Sequence, residues 1–79
     1  MDVELRLFAA AREAAGLDRD TVPGETVGQV LAEARRRYGE PFGSVLESCR
    51  IWVNGEQAEL SSRVCSGDEV AILPPVSGG

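Results

Sequence analysis

The sequence predicts an α+β fold, a roll in which one main helix packs across one face of a mixed sheet of four to five strands. Three observations lead there. Apolar and polar residues alternate over Asp2 to Leu7, the period of a strand with one wet face, and Glu69 to Leu73 alternates well enough to be the last strand. Between them Val27, Val30, Leu31, Ala34 and Tyr38 recur on one face of a helix. A chain of 79 residues has room for a single core, so these elements must share it.

Taken in order, Val3, Leu5 and Leu7 are the buried side of the first strand, against Asp2, Glu4 and Arg6. Ala9 to Ala15 is alanine-rich and favours a short helix, with Gly16 placed for a left-handed C-terminal cap. Asp18 to Val22 reads as a brief second strand, stopped by the Pro23-Gly24 turn. Thr26 and Gln29 have the spacing of a capping box and open the main helix. Gly39 and then Pro41 close it. Arg35, Arg36 and Arg37 in its last turn suit the negative end of the helix dipole, a plainer explanation than a docking patch. Arg50 to Val53 is a strand leading into Asn54-Gly55, whose tolerance of positive φ marks a hairpin. Val64 and the turn Ser66-Gly67-Asp68 precede the last strand, and Pro74-Pro75 ends its ladder because proline has no N–H to donate.

Composition narrows the function by exclusion. Thirteen acidic and eight basic side chains leave a net charge of −5, unsuited to nucleic-acid backbones or anionic membranes and better suited to basic protein surfaces. The opening Met1-Asp2-Val3-Glu4 lacks the basic start and apolar run of a signal peptide, so a cytoplasmic protein is expected. Without a histidine the usual general base and metal ligand is missing, and no Ser-His or Cys-His pair can form. No phosphate-cradling GxxxxGK[ST] loop, GxGxxG or GxSxG is present. Cys49 and Cys65 make no CxxC and read as ordinary buried thiols in preference to a disulfide. Asp18, Asp20, Glu33 and Glu40 are scattered and read as surface solubility, while Trp52 and Phe42 read as core filling.

The remaining chemical handle is the ending Pro74-Pro75-Val76-Ser77-Gly78-Gly79, which reads as a tail, residues 75–79, on a domain of residues 1–74. Glycine has no Cβ, so Gly78 and Gly79 can thread a narrow channel and bring backbone close to a nucleotide. The bland alternative is a frayed terminus.

Leu7-Phe8-Ala9-Ala10-Ala11-Arg12-Glu13, Gly67-Asp68-Glu69-Val70-Ala71 and the diglycine ending together resemble the MoaD/ThiS ubiquitin-like family, and within it MoaD, the small subunit of molybdopterin synthase. The resemblance runs the whole length. It implies the β-grasp (ubiquitin-like) fold, which agrees with the elements read above, and a sulfur carrier in place of a self-sufficient enzyme. It implies that Gly79 is adenylated by a MoeB-like partner related to ubiquitin-activating enzymes. That partner uses ATP, and the carrier itself holds no tight cofactor and no metal. A sulfur donor then converts Gly79 to a thiocarboxylate. The loaded tail, Pro75 to Gly79, would enter a MoaE-like large subunit and give sulfur to cyclic pyranopterin monophosphate, in an assembly of two small and two large subunits. Phe8 and Leu73 fall at apolar positions that pack against partners in the family, with core packing an equal alternative for both, while Gln57 stands where some members have an apolar contact. A carrier for thiamine, cysteine or thiouridine synthesis, or a protein modifier joined to lysine through Gly79, remains an alternative.

Overall fold

The computed structural model describes residues 2–74; the expected tail, residues 75–79, lies outside the described residues. Eight elements follow one another: β1 (Asp2–Leu7), α1 (Ala9–Ala15), β2 (Arg19–Pro23), α2 (Val27–Tyr38), α3 (Glu40–Leu46), β3 (Arg50–Val53), β4 (Glu56–Gln57) and β5 (Glu69–Leu73). The strands form one sheet in the order β2-β1-β5-β3-β4. β1 and β5 are parallel, and every other neighbouring pair is antiparallel. The expected α+β roll with a mixed sheet is borne out at five strands.

Alternation determines which face is covered. Val3, Leu5 and Leu7 of β1, Val22 of β2 and Val70 and Ile72 of β5 point to one side and are buried. There they meet Ala11 of α1, Val27, Val30, Leu31 and Ala34 of α2, and Phe42 and Leu46 of α3. No polar or charged side chain is buried among the described residues, so this core is held by close packing without polar registration. Thr26 caps α2 as its spacing predicts, its Oγ1 accepting from the Gln29 amide at 3.2 Å. The reciprocal Gln29 side chain accepts from Glu25 N, one residue earlier than a strict capping box. Gly16 closes α1 at φ 85°, and Asn54 and Gly55 turn the β3-β4 hairpin at φ 50° and 85°.

Several expectations change. Pro41 begins a further helix, α3, as well as following the end of α2. Its missing N–H costs nothing in a first helical turn, so a proline read as a stop serves equally as a start. Phe42 on α3 is fully buried, edge-on to Tyr38 with ring centroids 5.0 Å apart. Trp52, grouped with it as a core residue, is half-buried on the sheet's other face. Both cysteines are free, Cys49 half-buried and Cys65 exposed, so neither is a fully buried thiol.

The arginine run and two of the four scattered acids, Glu33 and Asp20, prove to be partners. Arg36 and Arg37 both bond Glu33, at 2.6 and 2.9 Å, and Arg35 donates to the Gly43 carbonyl of α3. Arg37 also reaches Asp20 of β2 at 3.1 Å and the Thr21 carbonyl at 2.9 Å. Since β2 is an edge strand, that last bond blunts an edge otherwise open to pairing. The Tyr38 hydroxyl donates to Asp20 at 2.6 Å. That bond, with help from Thr21 N and Arg37, holds the Asp20 carboxyl below its ordinary value against the effect of burial. The two arginines pull Glu33 down to about 2. Burial, reinforced by Asp20, pushes the Tyr38 phenol up.

Two outcomes are expected. Phe42→Ala should lower unfolding free energy by about 3–5 kcal/mol, the usual result of emptying a large buried site. Urea titration measures this, and a loss below about 1 kcal/mol would mean the helices collapse around the gap. Because Asp20 and Glu33 have depressed folded values, their contribution is complete above the unfolded carboxylate range near pH 4, and is lost as pH falls through the folded values. Urea midpoints should therefore drop between about pH 5 and pH 2, and Asp20→Asn with Glu33→Gln should flatten that drop. An unchanged pH slope in the double variant would show these pairs to be energetically idle.

Candidate docking face and tail root

The helices cover one face of the sheet and leave the other open, and the strand registers place every side chain on that open face. Across the middle run Arg19 (β2), Arg6 (β1), Ala71 (β5), Trp52 (β3) and Gln57 (β4), each opposite the next. One rung lower, Thr21, Glu4 and Glu69 stand side by side, with Asp2 opposite Pro23 below them. One rung higher, Leu73 pairs with Arg50. Phe8 continues β1 beside Leu73, its amide donating to the Ile72 carbonyl at 3.3 Å.

Phe8 and Leu73, the two predicted contact residues, thus lie together at the top of the open face. Phe8 is one of two large apolar residues exposed among the described residues, at 37%. Leu73 is half-buried. Neither belongs to the buried core, so core packing does not explain them. The Arg6 guanidinium lies 5.4 Å from the centre of the Phe8 ring, within cation–π range, and its Nη1 is 3.3 Å from Glu69. Arg6 therefore ties the aromatic ring to the strand that leads into the tail. Just after Phe8 the chain turns at Ala9 with φ 51°, a left-handed conformation that a side chain disfavours by about 1–2 kcal/mol. The turn sends α1 towards the covered side, where Ala11 is buried, and leaves Phe8 on the open face. Gln57 is exposed at the β4 end of the middle rung, on the same face and two strands from Leu73.

β5 is the third of five strands, bonded to β1 on one side and β3 on the other, so the ladder that ends at Leu73 and Pro74 ends in the middle of the sheet. Pro75, Val76, Ser77, Gly78 and Gly79 lie outside the described residues. At the opposite end of β5, Asn54 and Asp68 clasp two turns. Asn54 donates to Asp68 Oδ1 at 3.1 Å and accepts from Glu69 N at 2.9 Å, while Asp68 accepts from Cys65 N. Those bonds hold the Asp68 carboxyl below its ordinary value, that from Cys65 N most of all.

A groove of about 610 Å³ also opens beside α2, lined by Leu31, Leu46, Cys49, Ile51, Ala58 and Leu60 among others. It holds none of Phe8, Leu73 or Pro74. Burial pushes the Cys49 thiol up, which makes it a poorer nucleophile. No group of metal-ligating side chains occurs among the described residues. What the described residues bring together is an open sheet face with Phe8, Leu73 and paired charges at its surface.

Arg6 and Arg50 of the open face carry no site signal in the sequence, and Trp52 reads there as core filling. Each strand's alternation is readable, but which residue of β5 stands beside Arg6 depends on a parallel register between segments more than sixty residues apart.

Comparison with known proteins agrees with this architecture. The model of the ThiS family matches residues 5–79. Small archaeal modifier protein 1 of Haloferax volcanii is 35% identical, over 98% of this chain and 100% of its own. The molybdopterin synthase sulfur carrier subunit of Chlamydomonas reinhardtii is 32% identical over 100% of both chains. The solution structure of small archaeal modifier protein 1 from Methanosarcina acetivorans superposes with a TM-score of 0.87 at 33% identity, covering 99% of this chain and 96% of that one. With helices on one side of a five-stranded mixed sheet and a family match that runs through the diglycine, the chain belongs to the MoaD/ThiS family of ubiquitin-like sulfur carriers, built on the β-grasp fold.

Proposed function

We propose that this chain is the sulfur-carrier subunit of a molybdopterin synthase, and that its working atom is the terminal carbonyl carbon of Gly79. The observation that carries this reading is the end-to-end match to a molybdopterin synthase sulfur carrier subunit, within a family match that includes the diglycine. A carboxylate is a poor electrophile. Reaction with ATP on a MoeB-like enzyme yields the acyl-adenylate of Gly79 and releases pyrophosphate. A sulfur nucleophile from a donor then displaces AMP and leaves a thiocarboxylate. In a MoaE-like large subunit that sulfur passes to cyclic pyranopterin monophosphate, and water restores the Gly79 carboxylate. Two sulfurs per dithiolene accord with two small and two large subunits. ATP acts in the activating enzyme, and the carrier holds no cofactor of its own.

The domain's part is to bind and to aim. Phe8 and Leu73 supply apolar contact where the described chain ends, and Pro75, Val76, Ser77 and Gly78 form the reach between that contact and Gly79. The solvent-exposed Gln57 gives the far side of the face a polar contact. We place the protein in the cytoplasm; among the described residues no helix is long and apolar enough to cross a membrane.

A second reading is favoured by the similarity to small archaeal modifier protein 1, in which activated Gly79 would acylate a lysine amine. Both readings share the adenylate and diverge at its acceptor. Incubation with the activating enzyme, ATP and sulfide should give, by intact mass, replacement of one oxygen by sulfur, and removal of Gly79 should abolish it. Transfer from the loaded chain to cyclic pyranopterin monophosphate in the large subunit supports the synthase reading, whereas a lysine-linked conjugate without such transfer supports the modifier. Loss of Gly79 should leave the melting temperature nearly unchanged, since exposed termini add little stability.

A further inference from the structure

The charges of the open face are sorted. Its lower part carries Asp2, Glu4 and Glu69, while the middle and upper rungs carry Arg19, Arg6 and Arg50. The cationic half coincides with Phe8, Leu73 and Pro74, in a chain whose net charge is −5. Arg6 and Arg19 stand directly opposite each other on adjacent strands, an arrangement of like charges that weakens a sheet. Each reaches an acid on the lower rung, Glu69 at 3.3 Å and Glu4 at 3.7 Å. Arg50, opposite Leu73, makes no ion pair among the described residues and is exposed. The arginines of α2 differ, since Arg36 and Arg37 are both paired with Glu33 and Arg37 also with Asp20.

We infer that Arg6, Arg19 and Arg50 form a cationic collar around the root of the tail, which docks against an acidic rim framing the channel that receives the tail on the activating enzyme. Phe8 and Leu73 fill an apolar seat inside that rim. Trp52, half-buried on the middle rung, extends the seat towards β4. Three features favour an acidic protein partner: the collar surrounds the apolar contact, it lies where the chain must enter a partner, and one of its members has no internal acid. Peripheral charges of this kind act mainly on encounter rate and partner choice and are screened by salt. The collar is thus a specificity device that leaves the chemistry of Gly79 unchanged.

This inference rests on the carrier reading, and the test separates the two. ATP–pyrophosphate exchange by the adenylating enzyme of the same organism, with the full chain as substrate, reports KM and kcat. At low salt R19E/R50E should raise KM at least about tenfold with kcat unchanged, as loss of two rim pairs implies. R63E, an equal charge reversal at an exposed arginine outside the open-face rungs, should change KM less than about twofold. The gap should close in about 1 M salt, where screening extends only about 3 Å. If the reversal variant melts early, R19Q/R50Q should still raise KM about threefold. A KM for R19E/R50E and R19Q/R50Q equal to that of R63E overturns the collar while leaving the carrier reading intact. Absence of exchange with the unaltered chain overturns the carrier reading, and the collar with it.

Discussion

The parallel pairing of β1 with β5 is the constraint on which everything else in this molecule depends. It joins Glu4 to Leu7 with Glu69 to Ile72, sets Leu5 beside Val70 and Leu7 beside Ile72 on the covered side, and so sets Arg6 beside Ala71 on the open one. A slip of one residue would exchange these sides, carrying Glu69 and Ala71 into the core and Ile72 into water. Such a slip is opposed by the whole core, because Val3, Leu5, Leu7, Val70 and Ile72 are all essentially inaccessible. The open face therefore inherits its precision from the core behind it.

Much of this was legible in the residues. The alternation of β1 and β5, the cap at Thr26, the left-handed closure at Gly16 and the Asn54-Gly55 turn are local signals, and local physics decides them. What could not be read depends on pairing at a distance. Pro41 supports either a stop or a start, and only the burial of Phe42 and Leu46 against α1 and α2 makes α3 a helix. Trp52 is large and apolar, but register puts it opposite Ala71 on the open face. Of the proposed site, the diglycine ending stands out by composition and order, and Phe8 and Leu73 by family likeness. Their adjacency and the arginines around them required the sheet.

The charged residues divide into two populations that composition alone would merge. Glu33, Asp20, Arg36, Arg37 and Tyr38 satisfy one another across α2 and β2, and their altered proton affinities belong to that mutual satisfaction. Exposed pairs of this sort contribute modestly to stability, and their clearest structural effect is to tie the last turn of α2 to an edge strand. On the open face the pairs are longer, like charges adjoin, and one arginine is left without an internal acid. One population finishes the fold and the other addresses the solvent.

The central position of β5 has a mechanical consequence. Ladder hydrogen bonds lie across the strand direction, so a pull along β5 from its C-terminal end loads its bonds to β1 and β3 together, in shear. Had the chain ended in β2 or β4, the same pull could peel an edge strand away bond by bond. If the proposed partner draws on the terminus, the domain meets that pull across two ladders at once, the geometry in which a sheet resists most.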